Sequence, residues 1–170
     1  MRFDRVMIIG GPGSGKSWLA ARLAGCLELP VIAIDEMIHD NDGRVRSAAL
    51  IDKDALAASD RDFWIIEGGN TRTYERRLQR AQCLVRMKPA RLTRLWRVAR
   101  RDGMAWRLLR WTWQYDATFG PMDDAMVRAA HRRIPCFELK SRKDVRAFLE
   151  ALPCPPGTPP SLIGKGQKPV

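Results

Sequence analysis

The fold is decided by the stretch Gly10-Gly11-Pro12-Gly13-Ser14-Gly15-Lys16-Ser17. An apolar run at residues 6–9 precedes it, and a helical pattern of apolar residues over 18–24 follows it. The stretch matches the pattern G-x-x-x-x-G-K-[ST] in the strand, loop and helix context that this pattern requires. We interpret it as a phosphate-binding loop. The alternative is a glycine-rich turn that only joins a strand to a helix.

The residue types of this loop suit a bound nucleoside triphosphate. Glycine permits positive φ angles and close approach, so several backbone N–H groups can converge on phosphate oxygens. Lys16 opens the helix and adds a point charge at the β- and γ-phosphates, where the positive end of the helix dipole also points. The Ser17 hydroxyl is a hard oxygen ligand of the kind that Mg²⁺ prefers. The loop therefore predicts ATP and Mg²⁺ as cofactors.

The chain is strongly basic. It has 30 Lys and Arg residues against 19 Asp and Glu residues, a formal net charge of +11. Such a charge attracts polyanions, so nucleic acid has to be considered beside nucleotides and phosphorylated metabolites. The sequence has no helix-turn-helix, zinc-finger or RNA-binding motif, and we therefore expect at most weak, non-specific nucleic-acid binding.

The spacing of the four cysteines and the lack of a long apolar segment favour a cytoplasmic location. Cys26, Cys83, Cys136 and Cys154 are widely spaced and form no metal-ligand pattern, so we interpret them as small apolar residues in a reducing environment. No stretch is long and apolar enough for a signal sequence or a membrane span. We expect a cytoplasmic protein, with no membrane partner and with a monomer favoured.

Short apolar runs alternate with helical patterns along the chain. The runs lie at residues 5–9, 31–34, 63–66, 83–87 and 135–140. Such alternation predicts an α/β fold, a five-stranded parallel sheet flanked by helices with right-handed crossovers. At 170 residues the chain is the size of one domain. We place a single domain at 1–152, a helical lid at about 102–133, and a disordered Pro- and Gly-rich tail at 153–170.

Acidic residues follow two of the predicted strands. Asp35 comes after the second strand and Glu67, followed by Gly68, after the third. The carboxyl ends of parallel strands carry the ligands in such sheets, so we expect Glu67 to hold Mg²⁺ with Ser17, and Asp35 to lie at the same ligand-binding edge. Each carboxylate has an alternative role as a helix cap.

The helix after the fourth strand has two different faces. Its apolar stripe, expected to pack inward, consists of Leu92, Leu95, Trp96 and Ala99. The opposite face carries Arg91, Arg94, Arg97 and Arg101. A basic face is often plain solvated surface, but arginines that lead into a mobile segment also clamp a transferring phosphoryl group. Trp106, Leu109 and Trp113 on the next helix are interpreted as core or lid packing, with base-stacking platforms as the alternative.

Five segments together resemble the adenylate-kinase-like P-loop proteins known as DNA topology modulation proteins. They are G-G-P-G-S-G-K-S at 10–17, I-D-E at 34–36, W-I-I-E-G-G-N-T-R at 64–72, L-W-R-V-A-R-R at 95–101 and L-K-S-R-K-D-V-R-A-F-L at 139–149. The resemblance covers nearly the whole chain up to residue 152. It implies a nucleoside-monophosphate-kinase-like fold with strand order 2-3-1-4-5, a core, an acceptor-binding region and a lid.

The resemblance also implies roles for particular residues. Asp35 matches an acid that contacts the acceptor or Mg²⁺, and Gly68 and Arg72 match a segment whose arginine holds anionic substrate. Arg97 and Arg101 resemble the pair at the entrance to the lid. Arg142 lies in the loop where adenine usually packs. The residues expected to contact the nucleotide are Gly10, Gly11, Pro12, Gly13, Ser14, Gly15, Lys16, Ser17, Trp18 and Arg142.

These interpretations give one leading hypothesis and one alternative. The leading hypothesis is an ATP-binding phosphotransferase that moves the γ-phosphoryl group to a small-molecule or nucleotide acceptor, with Lys16, Asp35, Arg97 and Arg101 as catalytic residues. The alternative is an ATP-dependent, nucleic-acid-associated regulatory protein that affects DNA topology. The acceptor itself is not determined by the sequence.

Overall fold

The described part of the computed structural model, residues 2–153, contains one five-stranded parallel sheet. The strands are β1 (Arg5–Ile9), β2 (Val31–Ala33), β3 (Trp64–Glu67), β4 (Cys83–Met87) and β5 (Cys136–Leu139). They lie in the order β2-β3-β1-β4-β5, and every pair is parallel. The predicted α/β fold and strand order are therefore confirmed.

Helices cover both faces of the sheet. They are α1 (Lys16–Leu27), α2 (Ala48–Ser59), α3 (Tyr74–Arg80), α4 (Arg91–Asp102), α5 (Trp106–Thr118), α6 (Gly120–His131) and α7 (Arg142–Glu150), with 3₁₀ turns at Ile34–Ile38 and Thr71–Thr73. One core layer joins α1 and α7 to the sheet, and the other joins α2, α3 and α6 to its opposite face. Central strands are buried on both faces, which explains their continuous apolar sequences.

The register of the strands brings the predicted site segments to one edge. Ile8 of β1 and Ala33 of β2 both pair with Glu67 of β3. All three strands end within one residue of these paired positions. β1 leads into the glycine-rich loop, β2 into the turn that carries Asp35, and β3 into Gly68. The carboxyl edge of the sheet therefore assembles side chains that are far apart in the sequence.

The orientation of α4 differs from the prediction. Leu92 and Trp96 of its apolar stripe are 73% and 58% exposed, whereas Arg94 is buried. The inward face of α4 is basic because a carboxylate lies opposite it. Asp116 of α5 forms ion pairs with Arg94 and Arg91. The carboxylate of Asp116 compensates the buried charge of Arg94, although Nε of Arg94 is buried without a hydrogen-bond partner among the described residues.

The tryptophans also depart from the expected core packing. Trp64 of β3 is fully buried, but Trp106 and Trp113 of α5 are 72% and 51% exposed. Of the two predicted roles, packing in a core is wrong for these side chains, and packing in a lid stays a prediction. A buried arginine face on α4 leaves the apolar faces of α4 and α5 directed to solvent.

The lid predicted at about 102–133 corresponds to α5 and α6. Val127 and Ala130 of α6 belong to the core cluster on one face of the sheet, whereas α5 packs mainly on α4 and α6. The domain and lid boundaries stay predictions. The predicted tail lies outside the described residues apart from Pro153.

Two further expectations can be compared with the described residues. None of the helices within residues 2–153 has both the length and the apolarity needed to cross a lipid bilayer. Cys83 and Cys136 are free thiols, as expected. Cys26 of α1 packs in an apolar core layer, as expected of a small apolar residue.

Candidate functional site

The glycine-rich loop has the backbone that its sequence indicated. Gly10, Gly13 and Gly15 have φ angles of 142°, 68° and 97°, all in the region that side chains avoid. Space is equally limiting at Gly10, where a Cβ atom would collide with the carbonyl oxygen of Met87 in β4. The loop therefore follows the end of β4 closely and turns into α1, whose first residue is Lys16.

Lys16 lies inside the loop. Only 9% of its surface is exposed, and its Nζ donates a hydrogen bond of 3.4 Å to the carbonyl oxygen of Gly11. The amino end of α1 provides further unpaired N–H groups at the same place. Backbone dipoles and one ammonium group thus make the interior of the loop strongly attractive to anions.

Ser17 and Glu67 form a pair of oxygen donors at the start of α1. The Ser17 hydroxyl donates a hydrogen bond of 2.7 Å to Oε1 of Glu67. Burial raises the pKa of the Glu67 carboxyl, while the charge of Lys16 and the hydrogen bond from Ser17 oppose that rise. Its other oxygen, Oε2, is buried without a hydrogen-bond partner among the described residues. A hydroxyl, a carboxylate and a free buried carboxylate oxygen fit the preference of Mg²⁺ for hard oxygen ligands and their bound waters.

The capping alternative for Glu67 does not describe its contacts. Glu67 is the last residue of β3, and its recorded side-chain hydrogen bond joins it to Ser17, 50 residues away in sequence. Asp35 is not an N-cap residue either, because it lies within the first turn of its 3₁₀ segment and the N-cap position is taken by Ala33.

Helix α4 crosses the loop. Nη1 of Arg97 donates hydrogen bonds of 3.3 Å and 3.0 Å to the carbonyl oxygens of Gly13 and Ser14. The carbonyl oxygen of Arg94 comes within 2.5 Å of the position that a Cβ on Gly13 would take. The basic face of α4 therefore places Arg97 directly on the glycine-rich loop.

A large cavity adjoins the outer side of this loop. It has a volume of about 1460 Å³ and includes Ser14, Trp18, Arg97, Ser141 and Arg142 in its lining. The turn before α7 is held in shape by a capping box, in which Ser141 and Asp144 bond to each other's backbone N–H groups. Trp18 and Arg142, predicted to contact the nucleotide, thus share one cavity with the loop.

The second half of the site lies on the other side of Glu67. Gly68 has a φ of 115°, and a Cβ on it would lie 3.2 Å from Oδ1 of Asp35. The carboxylate of Asp35 is exposed there. Arg101 donates bidentately to Asp102, which is the main cause of its raised pKa, and the charge of Asp35 adds to that rise. Gly68 therefore lies beside Asp35, whereas the guanidinium of Arg101 is engaged by Asp102.

The structure places Arg72 in a different cluster. Its guanidinium is 56% exposed and donates hydrogen bonds of 2.8 Å and 2.9 Å to the carboxylate of Asp52 in α2. Asn70 also donates to Asp52, at 2.8 Å. Arg72 therefore fastens the segment after Gly69 to α2. The substrate-binding role predicted for it stays a prediction.

Arg77 is a site residue that sequence reasoning missed. Arg77 of α3 is fully buried, although arginine is usually an exposed residue. Its Nη2 donates hydrogen bonds of 2.5 Å and 3.1 Å to the carbonyl oxygens of Gly69 and Asn70. Desolvation lowers its pKa to about 10, and the charges of Tyr74 and Asp35 oppose that change. The available signal was its position three residues after Tyr74, on the inner side of the helix.

Asp123 was missed as well. It is 1% exposed, and the hydroxyl groups of Tyr74 and Tyr115 each donate to its carboxylate at 3.1 Å. Burial raises its pKa, and the charges of Arg86 and Lys16 oppose that rise. Three helices, α3, α5 and α6, therefore meet at one carboxylate within electrostatic reach of Lys16. Sequence alone gave no sign that this acid was buried.

The packing of α4 on the loop yields a first testable prediction. Gly13→Ala is expected to lower the free energy of unfolding by about 2–4 kcal/mol, from the left-handed backbone and from the collision with the carbonyl of Arg94. Gly43→Ala is the matched control, because Gly43 has a φ of 77° and no described atom within 4 Å of the added Cβ. Urea unfolding measures both. Equal losses would show that α4 does not press on the loop.

Comparisons with known proteins agree with this architecture. No protein-family model matches the sequence, and no curated protein does. Among solved structures, a shikimate kinase from Acinetobacter baumannii in complex with shikimate is similar over 86% of this chain and 89% of its own, with 14% identity and a TM-score of 0.58. A shikimate kinase from Bacteroides thetaiotaomicron matches over 87% and 95% of the two chains, with 15% identity and a TM-score of 0.60. A gluconokinase from Sinorhizobium meliloti 1021 matches over 88% and 94%, with 14% identity and a TM-score of 0.57.

At these identities the likeness concerns the fold. The chain has the nucleoside-monophosphate-kinase-like P-loop fold that its sequence predicted. The narrower resemblance to DNA topology modulation proteins stays a prediction.

Proposed function

We propose that the protein is an ATP-dependent phosphotransferase that moves the γ-phosphoryl group of ATP to a small-molecule or nucleotide acceptor. The observation that supports this most is the convergence at one sheet edge of the loop holding Lys16, the Ser17–Glu67 pair and the Asp35–Gly68 corner. Phosphoryl transfer needs an anion site for the phosphates, oxygen ligands for a metal ion, and a group that acts on the acceptor. The loop with Lys16, the Ser17–Glu67 pair and Asp35 would supply these three parts. The structural neighbours include kinases of small hydroxylated molecules, shikimate kinase and gluconokinase.

On the nucleotide side, the chain's own groups would bind and orient ATP. The adenine would occupy the cavity beside Trp18 and Arg142, and the β- and γ-phosphates would lie at Lys16 and the loop's N–H groups. Mg²⁺ held by Ser17 and, through water, by Glu67 would neutralise charge on the phosphates.

On the acceptor side, Asp35 would act on a hydroxyl group. Its carboxylate would orient the hydroxyl and accept its proton as the new O–P bond forms and the bond to the leaving ADP oxygen breaks. Arg97, already on the loop, and Arg101, in the field of Asp35, would stabilise charge on the transferring group. Exclusion of water by α4 and α5 would suppress hydrolysis of ATP.

The proposal is tested by a panel of nucleoside monophosphates and small hydroxylated metabolites, including shikimate and gluconate, assayed for ADP release with and without Mg²⁺. We expect one class of compound to stimulate ADP release, and only with Mg²⁺. The matched variant is Asp35→Asn, which keeps the shape of the side chain and is expected to bind ATP normally but lose stimulation. Tight ATP binding with no stimulation by any class would contradict the phosphotransferase proposal.

A further inference from the structure

An apolar groove lies between α4 and α5 and shares Trp96 with the lining of the cavity beside the glycine-rich loop. It has a volume of about 640 Å³, and we call it the tryptophan groove; its principal lining residues are Leu95, Trp96, Met104, Trp106, Leu109 and Trp113. Met104 and Trp106 are 79% and 72% exposed. Met104 lies in the turn between α4 and α5, and Trp106 is the first residue of α5. The most exposed apolar side chains of the groove are therefore at the end where the two helices join, which we call its tip. A contiguous apolar patch of this kind marks an interaction surface.

The charge around the groove is mainly positive. Arg100, Arg107 and Arg110 are exposed beside it. The two acidic residues of α4 and α5 are engaged by other arginines, Asp102 by Arg101 and Asp116 by Arg91 and Arg94. The partner of this surface should therefore combine apolar groups with negative charge.

We infer that the tryptophan groove and its arginines form a docking surface for an anionic lipid membrane, in which α5 lies at the interface without crossing it. Indole rings favour the boundary between lipid headgroups and acyl chains, and arginines beside them contact anionic headgroups. Met104 and Trp106 at the tip can enter the apolar layer without any change in the fold. This inference goes beyond the proposed activity and revises the expectation of no membrane partner, which considered only spanning segments.

Two other occupants fit the groove less well. Nucleic-acid bases carry polar edges, and Leu95, Met104 and Leu109 offer these edges no hydrogen-bond partner. A second copy of the chain, related by a two-fold axis, would bring the exposed arginines of one groove against those of the other. Lipid acyl chains have no polar edge, and anionic headgroups attract the arginines.

The test uses the full chain in flotation with vesicles of phosphatidylcholine, with and without phosphatidylglycerol. The wild type is expected to bind the anionic vesicles and to stay free of the neutral ones. The double variant Met104→Asp with Trp106→Ser is expected to lose binding by about tenfold or more, because it removes the apolar tip. Thermal unfolding and ATP binding of each variant verify that the fold and the nucleotide site are unchanged.

A charge-matched pair of variants separates docking from general attraction. Arg107→Gln with Arg110→Gln removes two charges beside the groove and is expected to weaken vesicle binding by roughly tenfold or more. Arg132→Gln with Arg133→Gln removes two exposed charges after α6 and is expected to change it little. Equal effects of the two pairs would overturn the inference.

Two further outcomes would also overturn it. One is absence of wild-type binding to anionic vesicles, accompanied by binding of a single-stranded oligonucleotide that the groove variants abolish. The other is a dimer in sedimentation that Met104→Asp dissociates, because the groove would then be covered by a second copy. Failure of the phosphotransferase assay would leave the vesicle result unaffected, so the two proposals are tested separately.

Discussion

Replacing Lys16 by alanine is expected to reduce ATP turnover by at least about 10²–10³-fold while the protein remains folded. Lys16 supplies the ammonium group inside the loop, and its Nζ contacts only a loop carbonyl among its recorded hydrogen bonds. The substitution removes the hydrogen bond from Lys16 to the carbonyl oxygen of Gly11, but it also removes the free-energy cost of burying the ammonium group. Because these two effects oppose each other, the free energy of unfolding should change little.

Lys16→Met sharpens this prediction because it keeps most of the side chain's volume and removes only the charge. Lys143→Ala, on the exposed surface of α7, is the matched control for loss of one lysine. ADP release and calorimetric ATP titration measure the effect. Unchanged ATP affinity and turnover in both Lys16 variants would refute the assignment of the nucleotide site.

The second large effect is expected at Glu67. Glu67→Gln should raise the Mg²⁺ concentration needed for half-maximal turnover by about 10–100-fold, as loss of groups around a bound metal generally does. Glutamine keeps an oxygen that can accept the hydrogen bond from Ser17, so the strand end should retain its shape. The change therefore removes the negative charge of the buried carboxylate and little else.

A Mg²⁺ titration of turnover measures this prediction, with Glu75→Gln as control because Glu75 is exposed on α3. ATP binding measured without Mg²⁺ should be similar in the wild type and the Glu67 variant. An unchanged Mg²⁺ requirement would mean that Glu67 has a structural role beside Ser17 and that the metal is held elsewhere.

Local sequence patterns predicted most of the fold because they report on short-range physics. Strands β1 and β4 have the predicted bounds and helix α1 begins at Lys16 as predicted, since a continuous apolar run, a glycine-rich turn and a helical period are each determined by neighbouring residues. The proximity of Glu67 to Ser17 also follows from the sequence, because the carboxyl ends of parallel strands share one edge, whereas their predicted shared Mg²⁺ stays a prediction. The strand order came from the family resemblance.

The inward face of α4 could not be predicted in this way. Apolar periodicity favoured burial of Leu92 and Trp96, yet the buried residue is Arg94. The partners that make this possible are distant in the sequence: Asp116 lies 22 residues beyond Arg94, and Ser14 lies 83 residues before Arg97. A pattern within one helix has no information about acceptors on other elements.

The sequence by itself determined the glycine-rich loop between β1 and α1, the alternation of strands and helices, and the acids that follow β2 and end β3. Only the tertiary structure decided which polar groups are buried, as with Arg77 on the carbonyls of Gly69 and Asn70, and Asp123 under two tyrosines. The physical reason is that backbone conformation follows from adjacent residues, whereas the cost of burying a charge depends on the hydrogen-bond partners that the whole fold brings to it.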